Sequence, residues 1–179
     1  MVPHGLHVAL IGYTLAPDAT LGGIVQEVRN AIAYLKANAA GYGGDPTRMV
    51  VSGWSAGGHL TAMCLDERGV VGGLAISGIY DLEPMRLSYV NDKLGLTPKD
   101  VVGLSPMQLV PSSKPLVVAF GDDDLPELQR QSIEFFNMRQ AAGKPGSLRP
   151  LAGLSHFTVL EDLGNPDGHL VAAVRGLAD

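Results

Sequence analysis

Apolar residues in this chain fall into short continuous runs separated by helix-spaced stretches. Val8-Ala9-Leu10-Ile11 has no polar interruption, the pattern of a strand buried on both faces. The β-branched run from Met49 to Gly53, the run Val70 to Ile76 and the run Pro115 to Phe120 read the same way, and Leu148 to Leu151 is a short fifth strand. Between them the period changes. Ile24, Val28, Ala31, Ile32 and Leu35 recur at helical spacing, with Gln26, Glu27, Arg29 and Asn30 on the other face. Residues from Ala56 continue as a helix through Leu65, and Pro126 to Ala141 forms another, with Leu128, Ile133, Phe135, Phe136 and Met138 as its apolar face. Helices near Phe157 to Leu163 and Gly168 to Leu177 close the chain. Gly12 to Pro17 and Gly41 to Pro46 are turns, and residues 82 to 114 are irregular apart from a short helix near Pro98 to Val102.

Alternating strands and helices predict an α/β fold: a mostly parallel sheet of about five strands, flanked by helices on both faces. In such sheets, sites form beyond the carboxyl ends of the strands.

Composition narrows the class. The chain has 179 residues, 46% of them hydrophobic, enough for one substantial core. A net charge of −5 without clustered Lys or Arg argues against nucleic acid or an anionic membrane surface as partner. The one cysteine, Cys64, permits no intrachain disulfide and reads as a small buried apolar group. No basic segment followed by an apolar run and cleavage site appears at the N-terminus, and no run approaches membrane-spanning length. A cytoplasmic location is expected.

The candidate chemistry starts at Gly53-Trp54-Ser55-Ala56-Gly57, set between a strand and a helix. Strand, Gly-x-Ser-x-Gly and helix together are the layout of a nucleophile elbow. Glycines 53 and 57 are expected to let strand and helix approach around the sharp turn. The helix N-terminus at Ser55 offers free backbone N–H groups, Ala56's among them, to developing negative charge. A serine nucleophile needs a base, and the base an orienting carboxylate. His4 and His7 lie before or at the first strand, on the wrong side for the elbow. His59 on the elbow helix points back into the fold, and His169 falls in the terminal helix. His156 remains, in the loop after the last strand. Asp122, Asp123 and Asp124 all follow a strand upstream of it; Asp124 also stands where it could cap the helix starting at Pro126. Chain order Ser, Asp, His suits this layout, but composition does not separate the three aspartates. No His, Cys or carboxylate pair has metal-ligand spacing, and no glycine-rich turn is followed by Lys-Ser or Lys-Thr, so no metal or cofactor is expected.

Gly12-Tyr13-Thr14-Leu15-Ala16-Pro17, the elbow with Gly57-Gly58-His59-Leu60, Ser77 to Leu82, Gly121 to Ser132 and Ser155-His156-Phe157 together resemble the α/β-hydrolases, most closely bacterial arylformamidase (kynurenine formamidase)-like esterases related to hormone-sensitive lipase. The resemblance runs nearly end to end. It implies a triad of nucleophile Ser55, acid Asp124 (three residues after the strand-ending Gly121) and base His156. It implies acyl transfer to water on short esters or formamides, with the Ala56 N–H as an oxyanion donor. Trp54 departs from the His, Asp or Glu usual in the elbow and is expected to present an apolar wall to the substrate.

The larger departure is an upstream His-Gly-Gly segment, which supplies further oxyanion donors in the family; the resemblance begins after it, and about a third of the expected domain is unmatched. His4-Gly5 precedes a strand and is not its equivalent. An unusual sheet edge and exposed apolar helix faces are expected, and with them self-association into a homo-oligomer. Two functions follow as expectations: a serine hydrolase completed by an oligomer or a separate N-terminal piece, or a self-associating scaffold with its triad but little activity.

Overall fold

The structure, a computed structural model, describes residues 1–179. Its sheet has four parallel strands in the order β1-β2-β3-β4: β1 Met49–Trp54, β2 Val70–Ile76, β3 Leu116–Gly121 and β4 Gly146–Leu151. Helix α1 (Leu21–Asn38) precedes β1, α2 (Ala56–Met63) links β1 to β2, and three short helices, α3 (Glu83–Arg86), α4 (Asn91–Leu94) and α5 (Pro98–Leu104), lead to β3. Helix α6 (Pro126–Ala141) links β3 to β4, and α7 (Glu161–Gly164) and α8 (His169–Ala178) follow β4.

Side-chain alternation sorts the core into two layers. Ala75, Leu116 and Val118 face α1, α2 and α6, packing with Ile24, Val28, Leu60 and Phe135. Leu74, Ile76, Val117 and Ala119 face the other way, onto Val159, Leu170 and Val174. Helix α1 begins three residues before Ile24, because the Thr20 hydroxyl accepts the Gly23 N–H at 3.2 Å and caps it. Within α6, Ile133 stands outside the apolar face and is 40% exposed.

The expected first strand does not form. Residues 8–11 carry no ladder pairing, and Leu10 is 93% exposed, so the sheet has four strands rather than about five. A strand exists only through a hydrogen-bonded neighbour, and this segment has none. It stands across a cleft of about 1420 Å³ from the free edge of β1, with Val28, Ile32, Val51 and Leu60 among the lining side chains. β1 pairs on one side only, so its apolar run is half-buried where β3 is buried throughout.

Candidate active site

The β1–α2 junction is a tight elbow. Ser55 has φ 56° and ψ −117°, a conformation that residues with a Cβ rarely adopt. Its N–H donates to the Ile76 carbonyl at 2.9 Å, which ties the turn to the end of β2. The close approaches differ from expectation. A Cβ on Gly53 would run into the Gly57 carbonyl, and one on Gly58 would sit 2.6 Å from the Gly78 Cα. A Cβ on Gly57 would meet nothing within 4 Å. The junction therefore demands glycine at 53 and 58, while Gly57 contributes only its backbone. Ala56 occupies the first position of α2, where helix geometry leaves the N–H without an intrahelical acceptor.

Two further loops converge on Ser55. His156 Nε2 lies 3.2 Å from Ser55 Oγ, and Nδ1 lies 3.1 and 3.3 Å from the two Asp124 oxygens. The Asp124 side chain is fully buried, and that of His156 is 15% exposed. The three aspartates separate by environment. Asp122 and Asp123 are exposed, and Asp122 accepts the Gly153 N–H at 2.6 Å. Asp124 alone turns inward. It does not cap α6, whose N-cap is Leu125; its Oδ1 instead accepts the adjacent Leu125 N–H at 2.6 Å. The loops carrying Asp124 and His156 are joined backbone to backbone, with Asp122 N–H on the Leu151 carbonyl at 3.0 Å and Asp123 N–H on the Leu154 carbonyl at 3.1 Å.

The other histidines have different partners. His4 bonds the Pro166 carbonyl at 2.8 Å. His59 is buried in α2 with Nε2 2.8 Å from the Leu104 carbonyl, and burial pushes its pKa down to about 4. His169 begins α8. Cys64 is buried, which pushes its thiol up to about 11. No group of three His, Cys, Asp or Glu side chains is placed to hold a metal ion, and no helix is long and apolar enough to cross a membrane.

Known proteins share much of this sequence and fold. The BD-FAE family model matches residues 1–70. Kynurenine formamidase from Salmo salar is 31% identical over 185 residues, covering 95% of this chain and 62% of that protein. Its counterpart from Danio rerio is 29% identical over 177 residues, covering 91% and 59%. Among solved structures, an esterase from Pyrobaculum calidifontis superposes with a TM-score of 0.76 at 19% identity, covering 93% of this chain and 63% of that one, a likeness of fold. The chain has the α/β-hydrolase fold and is similar in sequence to kynurenine formamidases. It spans about three-fifths of the length of the curated relatives it matches.

Glutamines support this α/β-hydrolase site in ways the sequence reading missed. Gln129 donates its amide to the Asp124 carbonyl at 2.7 Å and to that of Asp122 at 3.1 Å, holding the aspartate loop over the start of α6. Gln131 is fully buried. Its Oε1 accepts the N–H groups of Tyr80 and Asp81 at 2.7 and 2.8 Å, satisfying the turn after β2. The available signal was two glutamines just after the acid loop, in a helix otherwise patterned for burial on one face. Trp54 is half-buried, its indole 4.8 Å from the His156 ring and 5.6 Å from that of Phe157.

Proposed function

We propose that this chain carries the catalytic triad of a serine hydrolase that cleaves short acyl esters or formamides through an acyl-enzyme. The observation that carries the reading is the hydrogen-bonded line Ser55 Oγ, His156 Nε2, His156 Nδ1, Asp124 at the end of a strained elbow. The formamidase relatives favour a formamide or ester carbonyl as the target.

In this reading His156 Nε2 takes the Ser55 proton as Oγ attacks the carbonyl carbon. The buried Asp124 carboxylate holds Nδ1–H and stabilises the imidazolium. The Ala56 N–H, at the positive end of α2, receives the oxyanion. Collapse expels the alcohol or amine, which takes its proton from His156. Water, deprotonated by the same imidazole, then releases the acid and restores Ser55. Trp54, beside the nucleophile, forms an apolar wall for the substrate. A second oxyanion donor from outside residues 1–179, supplied by further chain or a second copy, belongs to the proposal; each such donor carries about 10²–10³ in rate.

The unpaired edge of β1 and the exposed Val8 and Leu10 favour self-association. The lone buried thiol fits a reducing, cytoplasmic setting. The test is turnover of a short-chain p-nitrophenyl ester and of an N-formyl arylamine by the chain and by Ser55→Ala, with mass measured by light scattering. Turnover that disappears with Ser55 supports the reading. Equal background rates in both would leave a hydrolase scaffold without a working site.

A further inference from the structure

Trp54 touches the loop that carries the base at two places. Its Nε1–H donates to the backbone carbonyl of His156 at 2.7 Å. Its ring lies 4.8 Å from the imidazole at an interplanar angle of 38°. Phe157 closes on the imidazole from another side, edge-on at 5.3 Å and 82°. The imidazole therefore has an indole, a phenyl ring and the Asp124 carboxylate around it, with Nε2 left to face Ser55. Phe157 is 71% exposed, so the half-buried indole is the fixed member of the aromatic pair.

These contacts have different physical content. The indole hydrogen bond fixes the main chain of His156 relative to β1, the strand that ends at the nucleophile. The loop bearing the base is thus tied to the elbow directly as well as through the acid loop. The ring contact acts on charge. An aromatic ring within about 6 Å of a cation attracts it through its quadrupole, most strongly for indole. When His156 takes a proton it becomes such a cation, so the attraction appears as the reaction proceeds and not before.

We propose that Trp54 is a positioning residue for His156, anchoring the base loop by its indole N–H and favouring the imidazolium by its ring. The role rests on the triad reading above and gives the elbow tryptophan a task separate from lining the substrate pocket.

Trp54 is the chain's one tryptophan, so its fluorescence reports this contact without catalysis. A protonated imidazole in contact with an indole quenches its emission. Emission of the folded wild-type chain should fall on acidification. That step should be absent in His156→Asn, with far-UV circular dichroism marking where each protein remains folded. Equal quenching in acid in the two proteins would overturn the contact. Kinetically, Trp54→Phe keeps a ring and loses the donor. It should lower kcat about five-fold, as expected for one neutral hydrogen bond, with KM within two-fold. Trp54→Leu loses both contacts and should lower kcat about thirty-fold. A rise in KM at unchanged kcat would overturn the proposal and leave Trp54 as a substrate wall only. A wild-type chain without Ser55-dependent turnover would sink the hydrolase reading, and the fluorescence comparison would then decide the Trp54–His156 contact alone.

Discussion

Gly121 ends β3 where the Leu154 carbonyl occupies the space a Cβ would need. Every side chain larger than hydrogen at position 121 would push the loop carrying His156 away from the loop carrying Asp124. The obstacle is backbone and cannot rotate aside. Gly121→Ala should therefore cost about 1–3 kcal/mol in urea unfolding, the usual range for forced overpacking. It should also lower esterase kcat by lengthening the contact between His156 and Asp124. Wild-type stability in the variant would mean the loops separate without cost.

Substitution of the proposed triad should abolish turnover while sparing the fold. Asp124→Asn removes the charge opposite the imidazolium and should reduce kcat by about 10³- to 10⁴-fold, with Ser55→Ala at background. The check is steady-state hydrolysis beside thermal unfolding. An active Asp124→Asn variant would return Asp122 and Asp123 to consideration as the acid.

The elbow glycines should respond unequally. Gly53→Ala and Gly58→Ala place a methyl against backbone, and each should lower the unfolding midpoint by several degrees, about what 1–3 kcal/mol yields in a chain of this size. Gly57→Ala projects into open space and should fold normally. Differential scanning calorimetry of the three variants reads the contrast directly.

Gln131 is the sole hydrogen-bond acceptor drawn to the Tyr80 and Asp81 N–H groups, at a residue with no solvent exposure. Gln131→Leu fills similar volume and leaves both donors without it. It should destabilise the chain by about 2–4 kcal/mol in denaturant titration, since each unsatisfied buried donor costs about 1–3 kcal/mol. A loss below 1 kcal/mol would show that the turn finds other acceptors.

Acid sensitivity should trace to His59. Its folded pKa, about 4, lies below the ordinary 6.5 because burial disfavours the cation. The unfolded chain therefore binds this proton first. The contribution is whole above about pH 6.5 and is lost progressively as pH falls toward 4, amounting to about 3 kcal/mol over that window. Stability measured against pH should flatten across this window in His59→Gln, which keeps a donor for the Leu104 carbonyl. An unchanged slope would assign acid sensitivity to other groups.

The sequence by itself determined the local pieces and the chemistry they carry. An apolar run bounded by polar residues marks a strand candidate, and for residues 70–76 that span coincides with β2. Gly-x-Ser-x-Gly between strand and helix marks an elbow, of which Gly53 is the glycine the turn itself requires, and His156 is the histidine in the loop after the last strand. The tertiary structure decided whatever depends on a neighbour distant in sequence. Val8 to Ile11 has strand composition but no ladder, because hydrogen bonds across a sheet are made by a partner and not by propensity. Asp122, Asp123 and Asp124 are chemically identical in sequence; only the fold turns one inward to the imidazole. Gly58 rather than Gly57 bears the close approach because the backbone it meets, at Gly78, belongs to the next strand's turn. Trp54 lies 102 positions from His156 in the chain, a separation at which neither periodicity nor spacing can signal a contact.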